Sequence, residues 1–273
     1  MKLALASDLH FEFHRDPAWL PRLAGIHSGK APDILVLAGD ISIGDGAIEA
    51  VERISNDLPD AVILWVAGNH EYFHQNYDDT LEKFKQAFQD SERIHFLERD
   101  AVEINGWHFL GCTLWTGFDG LPEFPPESVM SSARDRIADY RLIRTGPESE
   151  LWRPEDAQLE HQLSVAWLQQ ELANRPANRT VVISHFPPSM RLHHLGFPVD
   201  ISTPYFNASL DDLIEKYQPG YWLYGHNHWS DLQCVGKTAL LSNQLGYPRE
   251  KGIPEFDPQL LVTLVSGSGV LKL

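Results

Sequence analysis

Five short apolar runs constrain this chain more than anything else in it. They read KLALAS (2–7), DILVLAG (33–39), AVILWVAG (61–68), TVVIS (180–184) and GYWLYG (220–225). Each is β-rich, is the length of one strand, and stops at or beside a small or turn-forming residue. Runs that are apolar at every position, not at alternate ones, are strands covered on both faces. Between them lie stretches with apolar residues at helical spacing: 45–57, 77–90, 155–174 and 207–217. Asn207 is the expected N-cap of the last. Strands alternating with helices predict an α/β fold. Asn105-Gly106, between two alternating stretches (102–112), predicts a hairpin. The stretch 259–273 predicts a second hairpin. The sheets are therefore expected to be mixed.

In α/β sheets the functional groups gather off the carboxyl ends of the strands. The residues that follow the five runs are Asp8 and His10, Asp40, Asn69 with His70 and Glu71, His185, and His226 with His228. Taken singly, an Asp or Asn after a strand is a turn or capping residue. Taken together and leaving Glu71 aside, they put two carboxylates, an amide and five imidazoles at one sheet edge. Small residues precede them (Ser7, Gly39, Gly68, Ser184 and Gly225) and leave room for close approach. If the segments are extended, residues i and i+2 point to one side. Asp8 and His10 then share one ion, and His226 and His228 serve a common centre. Carboxylate, amide and imidazole donors suit a borderline divalent metal such as Mn, Fe or Zn. Asp8, His10, Asp40, Asn69, His185, His226 and His228 are too many for one ion. They match two, with Asp40 as the candidate bridge.

The ordered series D-x-H, G-D, G-N-H-E, H and G-H-x-H resembles the calcineurin-like metallophosphoesterase superfamily. Here it reads Asp8-x-His10, Gly39-Asp40, Gly68-Asn69-His70-Glu71, His185 and Gly225-His226-Asn227-His228. The resemblance implies a four-layer αββα sandwich of two mixed β-sheets flanked by helices. It implies a dinuclear centre in which Asp8, His10 and His228 hold one ion. Asn69, His185 and His226 hold the other, and Asp40 bridges them. His70 then falls at the family's position for a proton donor. Two cations roughly 3.5–4 Å apart give a bridging hydroxide near neutral pH, which attacks phosphorus. His70 protonates the leaving group. The expected activity is hydrolysis of phosphodiesters or phosphomonoesters.

Arginines follow the second and third motifs in the protein Ser/Thr phosphatase branch. GDISIGDG and GNHEYFH carry none, so the chain is closer to the small bacterial phosphoesterases and cyclic-nucleotide phosphodiesterases. A nucleotide-sugar-lipid pyrophosphatase, a nuclease, and a non-catalytic scaffold are the alternatives. The net charge of -16 argues against stable nucleic-acid binding or a membrane-surface role. A small phosphorylated substrate, such as a nucleotide, still meets a local charge of about +2 from two divalent ions against Asp8 and Asp40. Two cysteines, Cys112 and Cys234, imply no disulfide framework. No run is long enough to span a membrane, and the N-terminal apolar stretch is too short for a secretory signal, so a cytoplasmic protein is expected.

The chain is expected to form one domain over 1–273, with an insertion at about 116–152 rich in Pro, Gly and charge. That insertion serves either as a lid or cleft wall, or as a surface elaboration. Secondary candidates remain open. Glu71 either accepts hydrogen bonds from a ligand histidine or starts a helix. Arg191, with His193 and His194, either faces the cleft and clamps phosphate or is solvated. Tyr140 and Arg141 are similar. Phe11, Phe13, Tyr72 and Phe73 either stack a ring or pack the core. His14 and His74 are spare rim histidines.

Overall fold

The computed structural model describes residues 1–13 and 31–265. Its strands, in chain order, are β1 (Lys2–Ala6), β2 (Ile34–Ala38), β3 (Val62–Val66), β4 (Ile94–Phe96), β5 (Asp100–Ile104), β6 (Trp107–Cys112), β7 (Arg144–Thr145), β8 (Glu150–Leu151), β9 (Thr180–Ser184), β10 (Tyr221–Tyr224), β11 (Leu232–Val235), β12 (Thr238–Ser242) and β13 (Leu261–Thr263). The helices are α1 (Asp45–Asp57), α2 (Tyr77–Ala87), α3 (Pro126–Arg136), α4 (Asp139–Leu142), α5 (Pro154–Ala173), α6 (Thr203–Phe206) and α7 (Asp211–Tyr217).

Two sheets carry the fold. The first runs β13-β1-β2-β3-β4, and the second runs β11-β12-β10-β9-β6-β5. Neighbours are parallel except at three pairings: β13 on β1, β11 on β12, and β5 on β6. Both sheets are therefore mixed, as expected. Along β1, Leu3 and Leu5 enter one buried cluster while Ala4 and Ala6 enter another. β2, β9 and β10 split in the same alternating way. Leu3, Val36, Val66, Phe109, Ile183 and Leu223 form the layer between the sheets. Ala4, Leu37, Trp65, Val182 and Trp222 face outward to the helices. Trp65 on β3 meets Phe84 of α2 at 4.8 Å between ring centroids. This two-sided burial explains why the runs are apolar at every position. It completes the four-layer sandwich with flanking helices.

Local chemistry sets the element ends. Asn105 and Gly106 join β5 to β6 with φ of 52° and 75°, the two left-handed positions of a type I′ turn. The Asn76 side chain accepts from the backbone N–H groups of Asp78 and Asp79 and caps α2. Asn207 does not cap α7. That helix starts at Asp211, and the Asn207 amide instead donates to the Thr203 carbonyl, closing α6. Of the C-terminal hairpin, the first arm is β13 on the edge of β1. The second arm lies outside the described residues.

The 116–152 stretch folds as α3, α4 and the β7-β8 ribbon. Phe118, Val129, Ala133, Tyr140, Ile143 and Trp152 are buried, so it is packed as a wall. Among the described residues, no helix is long and apolar enough to cross a membrane.

Candidate metal centre

The segments after β1, β2, β3, β9 and β10 converge at one edge of the two sheets. They do so by turning. β1 stops at Ala6 and β10 at Tyr224. Asp8, His10, Asp40, His226 and His228 have φ of 54°, 47°, 54°, 79° and 52°. The extended-segment argument for i and i+2 sharing a side therefore fails. These residues bunch because each sits in a left-handed turn, at a cost of order 1–3 kcal/mol apiece. Asp and His visit that region more readily than bulkier residues. Backbone bonds hold the turns: Asp8 N–H donates to Gly39 O at 3.0 Å, and His10 N–H to Asp40 O at 3.0 Å. Asp8 Oδ1 accepts from His226 N–H at 3.0 Å, tying β1 to β10 across the two sheets. The preceding glycines are required by space. A Cβ on Gly68 would lie 2.2 Å from Asp40 Oδ1, and one on Gly39 would lie 2.4 Å from His185 Nδ1.

The expected ligands gather into two groups, beside a third of His10, Glu12 and His70. In the first, Asp8, His10 and His228 bring ligand atoms within 4.8 Å of one another. His10 Nε2 lies 3.1 Å from His228 Nε2, which lies 3.5 Å from Asp8 Oδ1. In the second, Asp40, His185 and His226 do the same. His185 Nε2 lies 3.2 Å from His226 Nδ1 and 3.2 Å from Asn69 Oδ1. Asp40 faces both: Oδ1 is 3.4 Å from His185 Nε2, and Oδ2 is 3.8 Å from His10 Nε2. His226 and His228 thus fall in different groups.

What lies behind each ring decides its role. His185 Nδ1–H donates to Ala38 O at 2.8 Å, and His228 Nδ1–H to Glu250 Oε2 at 2.6 Å. His10 Nδ1–H donates to Glu12 Oε1 at 3.3 Å. Each bond fixes the tautomer and leaves the Nε2 lone pair pointing inward. Burial pushes His10 and His185 down to about 3 and His226 well below its ordinary value, so these rings are neutral. Neutral lone pairs aimed at one another repel unless a cation or proton lies between them. Burial, Glu71 and Asp8 together push the Asp40 carboxyl well up, and burial raises Asp8. A buried site that disfavours its own anions and converges its lone pairs is suited to divalent cations. The donor set fits them.

Asn69 is held by Asp139, whose Oδ1 accepts from Asn69 Nδ2 at 2.9 Å. Asp139 Oδ2 accepts from the Tyr205 hydroxyl at 2.6 Å. This orientation turns Asn69 Oδ1 toward His185. His70 stands beside both groups, its Nε2 3.9 Å from Asp40 Oδ2. Its Nδ1–H donates to Glu12 Oε1 at 3.0 Å, and its Nε2 lies 3.0 Å from the Tyr247 hydroxyl. Burial works to raise Glu12, but hydrogen bonds from His10 and His70 overcome it and hold the carboxyl at about 2. Glu71 neither meets a ligand histidine nor only starts the short turn at His70–Tyr72. Its carboxylate accepts the N–H groups of Gly68, Asp40 and Ile41 at 2.7, 3.0 and 2.7 Å.

A cleft of about 310 Å³ opens over Asp40, Asn69, His70, His226 and His228. Arg136, Ile137, Ala138 and Asp139 supply one wall, which is where the insertion meets the site. Tyr140 is instead buried behind that wall. Arg141 donates to the Asp135 and Arg136 carbonyls away from the cleft. Arg191 pairs with Asp211 at 2.7 Å and does not line the cleft. Phe73 lines it, its ring 4.1 Å from that of His70. Tyr72 packs in the core on Tyr77. Phe13 flanks His10 at 6.0 Å. Phe11 packs against the core, and His74 is exposed and outside the cleft. His14 lies outside the described residues.

Four site residues were not legible in the motifs: Glu12, Asp139, Tyr247 and Glu250. Two of them come from a sixth strand end, after β12. Residues 243–246 run beside Ser7 and Asp8, with Ser7 N–H donating to Asn243 O and Gly246 N–H to Asp8 O. This places Tyr247 and Glu250 over the first group. The TALLSNQ run (238–244) repeats the apolar-then-polar pattern and is the signal that could have found them.

The chain matches the calcineurin-like phosphoesterase family over residues 1–230 and belongs to it. It is 25% identical, over 96% of both chains, to the uncharacterized protein L509 of Acanthamoeba polyphaga mimivirus. Among solved structures it resembles a phosphopantetheinyl hydrolase (PptH) from Mycobacterium tuberculosis. That likeness has a TM-score of 0.69 at 19% identity, covering 91% of this chain and 90% of that one. It also resembles the protein TT1561 of Thermus thermophilus, with a TM-score of 0.56 at 12% identity over 90% and 89%. These structural likenesses show the fold. With the family and the candidate ligand groups, the chain is a metal-dependent hydrolase of the phosphoesterase class.

Proposed function

We propose that the chain is one cytoplasmic domain that hydrolyses phosphodiester or phosphomonoester bonds in small molecules at a dinuclear centre. The observation that carries this reading is Asp40, whose two oxygens face two separate groups of inward-pointing donors. Asp8, His10 and His228 would hold one ion; Asn69, His185 and His226 the other; Asp40 would touch both. The mixed nitrogen and oxygen donors favour Mn or Fe, with Zn next. Two such ions supply an activated water and neutralise charge on the phosphoryl group.

The chain's own residues do the rest. His70 donates a proton to the departing oxygen. Glu12 fixes its Nδ1–H, which leaves Nε2 as the working nitrogen. The Tyr247 hydroxyl holds Nε2 in place until substrate displaces it. Arg136 is the sole Lys or Arg among the described residues that line the cleft, and is placed to meet substrate charge.

The test is turnover of p-nitrophenyl phosphate and bis(p-nitrophenyl) phosphate by protein loaded with Mn, Fe or Zn, together with the metal stoichiometry. Two ions per chain and hydrolysis of either ester are expected. One ion per chain, or no hydrolysis with any metal, would sink the reading. His70→Ala should keep both ions and slow esters with poor leaving groups by about 10²–10⁴-fold. Equal slowing of good and poor leaving groups would remove His70 as the acid.

A further inference from the structure

Four residues of fixed charge type border the metal-centre cleft. Asp40 and Asp139 are buried, and Arg136 and Glu250 reach solvent. The last two carry opposite signs and stand on different walls. Glu250 follows β12 and accepts from His228 of the first group. Arg136 stands on the insertion, three residues before Asp139, which turns Asn69 of the second group. The cleft is therefore polarised: an anion at the wall of the first group, a cation at the wall of the second.

The backbone under Arg136 is held and its side chain is unoccupied. α3 ends at Arg136 and α4 begins at Asp139. Arg141 donates to the Asp135 and Arg136 carbonyls at 2.9 and 3.5 Å and braces that end. Among the described residues, no hydrogen bond or ion pair engages the Arg136 guanidinium. Arg134, on the same helix, is paired with Glu155 at 2.5 Å, and Arg191 with Asp211 at 2.7 Å. Hydrogen bonds from Ser202 pull the Asp200 carboxyl below its ordinary value, and the charge of Arg136 adds to that pull. Asp200 lines a second cavity of about 290 Å³, which shares Phe197, Phe206 and Asn227 with the cleft. Arg136 thus lies toward the side where the two spaces meet.

The acid lies at the other wall. His70 is bonded to Tyr247, and the Tyr247 N–H donates to Glu250 Oε2 at 2.9 Å. The arm that departs at His70 therefore runs beside Glu250, where a second anion would meet a like charge. The arm that stays on phosphorus is the one free to reach Arg136. A guanidinium offers a planar fork of N–H donors that matches carboxylate and phosphate oxygens, and its bonds to anions are about twice as strong as neutral ones. In a chain of net charge -16, a second anion on the substrate is disfavoured away from such a cation.

We propose that Arg136 is a specificity-determining residue for a second oxyanion, a carboxylate or a phosphate, on the retained arm of a phosphodiester. The proposal rests on the phosphoesterase reading above and deepens it.

The test uses metal-loaded protein and mixed diesters of p-nitrophenol. Water adds to phosphorus, the P–O bond to p-nitrophenolate breaks, and the second arm stays esterified. Three arms are compared: propyl, 2-carboxyethyl and 2-phosphonoethyl, the last standing in for a phosphate. At least one anionic arm should exceed propyl in kcat/KM by about tenfold or more. The better of the two identifies the oxyanion. The preference should shrink as salt is raised. Arg136→Gln should bring the ratio of anionic to propyl arm close to one, and Arg136→Lys should keep part of it. A ratio between arms is unaffected by a general loss of folded protein. A wild type that turns over propyl as well as both anionic arms would overturn the proposal without touching the function. So would a ratio that survives Arg136→Gln, the result expected if Arg136 meets only the scissile group. Failure to cleave even bis(p-nitrophenyl) phosphate would overturn the function, and the proposal with it.

Discussion

The two ligand groups are made of the same residue types but are held in different ways. In the group of Asp8, His10 and His228, the outward ring nitrogens lean on carboxylates. Glu12 and Glu250 are their partners, with side chains 13% and 25% exposed. Around Asp40, Asn69, His185 and His226, the supports are the Ala38 carbonyl and Asp139, which is 1% exposed. A carboxylate behind an imidazole raises its basicity. Burial works against charge on His228, but Glu250 and Asp8 outweigh it and lift its pKa above the ordinary value. Burial drops His185, with only a carbonyl behind it, to about 3, and drops His10 as far despite Glu12, so the raised ring is His228. Among the histidines, the first group must therefore shed a proton, through His228, to take a cation, and the second, with His185 and His226 neutral, need not. One half of the centre is tunable; the other is fixed by the core.

The largest effect should come from the residue the two halves share. Asp40→Asn is expected to weaken both ions and to reduce kcat/KM beyond about 10⁴-fold, past the range of a lost general acid. Metal titration by calorimetry checks it. If one ion bound normally and turnover persisted, the halves would be independent and the comparison would collapse.

Glu250→Gln should break one half only. Removing a ring's outer partner costs about 10–100-fold in metal affinity. The loss should fall on the weaker-bound proton-competing ion, whose affinity in the wild type drops with acid. The sign follows from His228. Its pKa is raised, so its proton opposes the cation increasingly as pH falls toward and below 6.5. In Glu250→Gln that pH dependence should shrink. A pH profile unchanged by the substitution would place the titration elsewhere.

The contrast between the halves also explains what the sequence showed. The candidate ligands are local: each follows an apolar run, so a strand-end reading points to them. Their supports are not. Glu12 meets His70 across 58 residues, Tyr247 meets His70 across 177, and Asp139 meets Asn69 across 70. No periodicity records such pairs. The left-handed turns at Asp8, His10, Asp40, His226 and His228 were also invisible, because none of these positions is a glycine. That is why the i, i+2 argument paired Asp8 with His10, which do lie in one group, and His226 with His228, which lie in two. β12 escaped notice although its pattern matches the others, and Tyr247 and Glu250 escaped with it.

Asp139→Leu should disturb the other half, and more weakly. It removes the acceptor that turns Asn69, so the second ion should lose about tenfold in affinity, at the low end for such partners. The first ion and the pH profile should not change. Asp139→Asn keeps an oxygen for Asn69 Nδ2 and should recover most of the loss. Loss of the first ion instead would mean that the insertion wall, and not Asn69, had been disturbed.

Glu71 gives the smallest effect and the one that tests whether the halves are joined mechanically. It belongs to neither group but bonds the backbone of both the Gly68 and Asp40 turns. Burial pushes its carboxyl up to about 7, although three N–H bonds pull the other way. Since the folded value lies above the unfolded 4.5, the folded chain binds more protons between those pH values. Stability is then full below about 4.5 and declines as pH rises to 7. In chelator, the midpoint of thermal unfolding should fall across that window, and Glu71→Gln should flatten the slope. Near pH 5 the two proteins should be close in stability, because a protonated Glu and a Gln are near-isosteric. With cations bound, both turns are tied through their own side chains, and the difference should vanish. A wild-type midpoint that rises with pH in chelator would mean that the three N–H bonds outweigh burial. Glu71 would then be a fixed anion clamping the two halves, and not a group that the cations relieve.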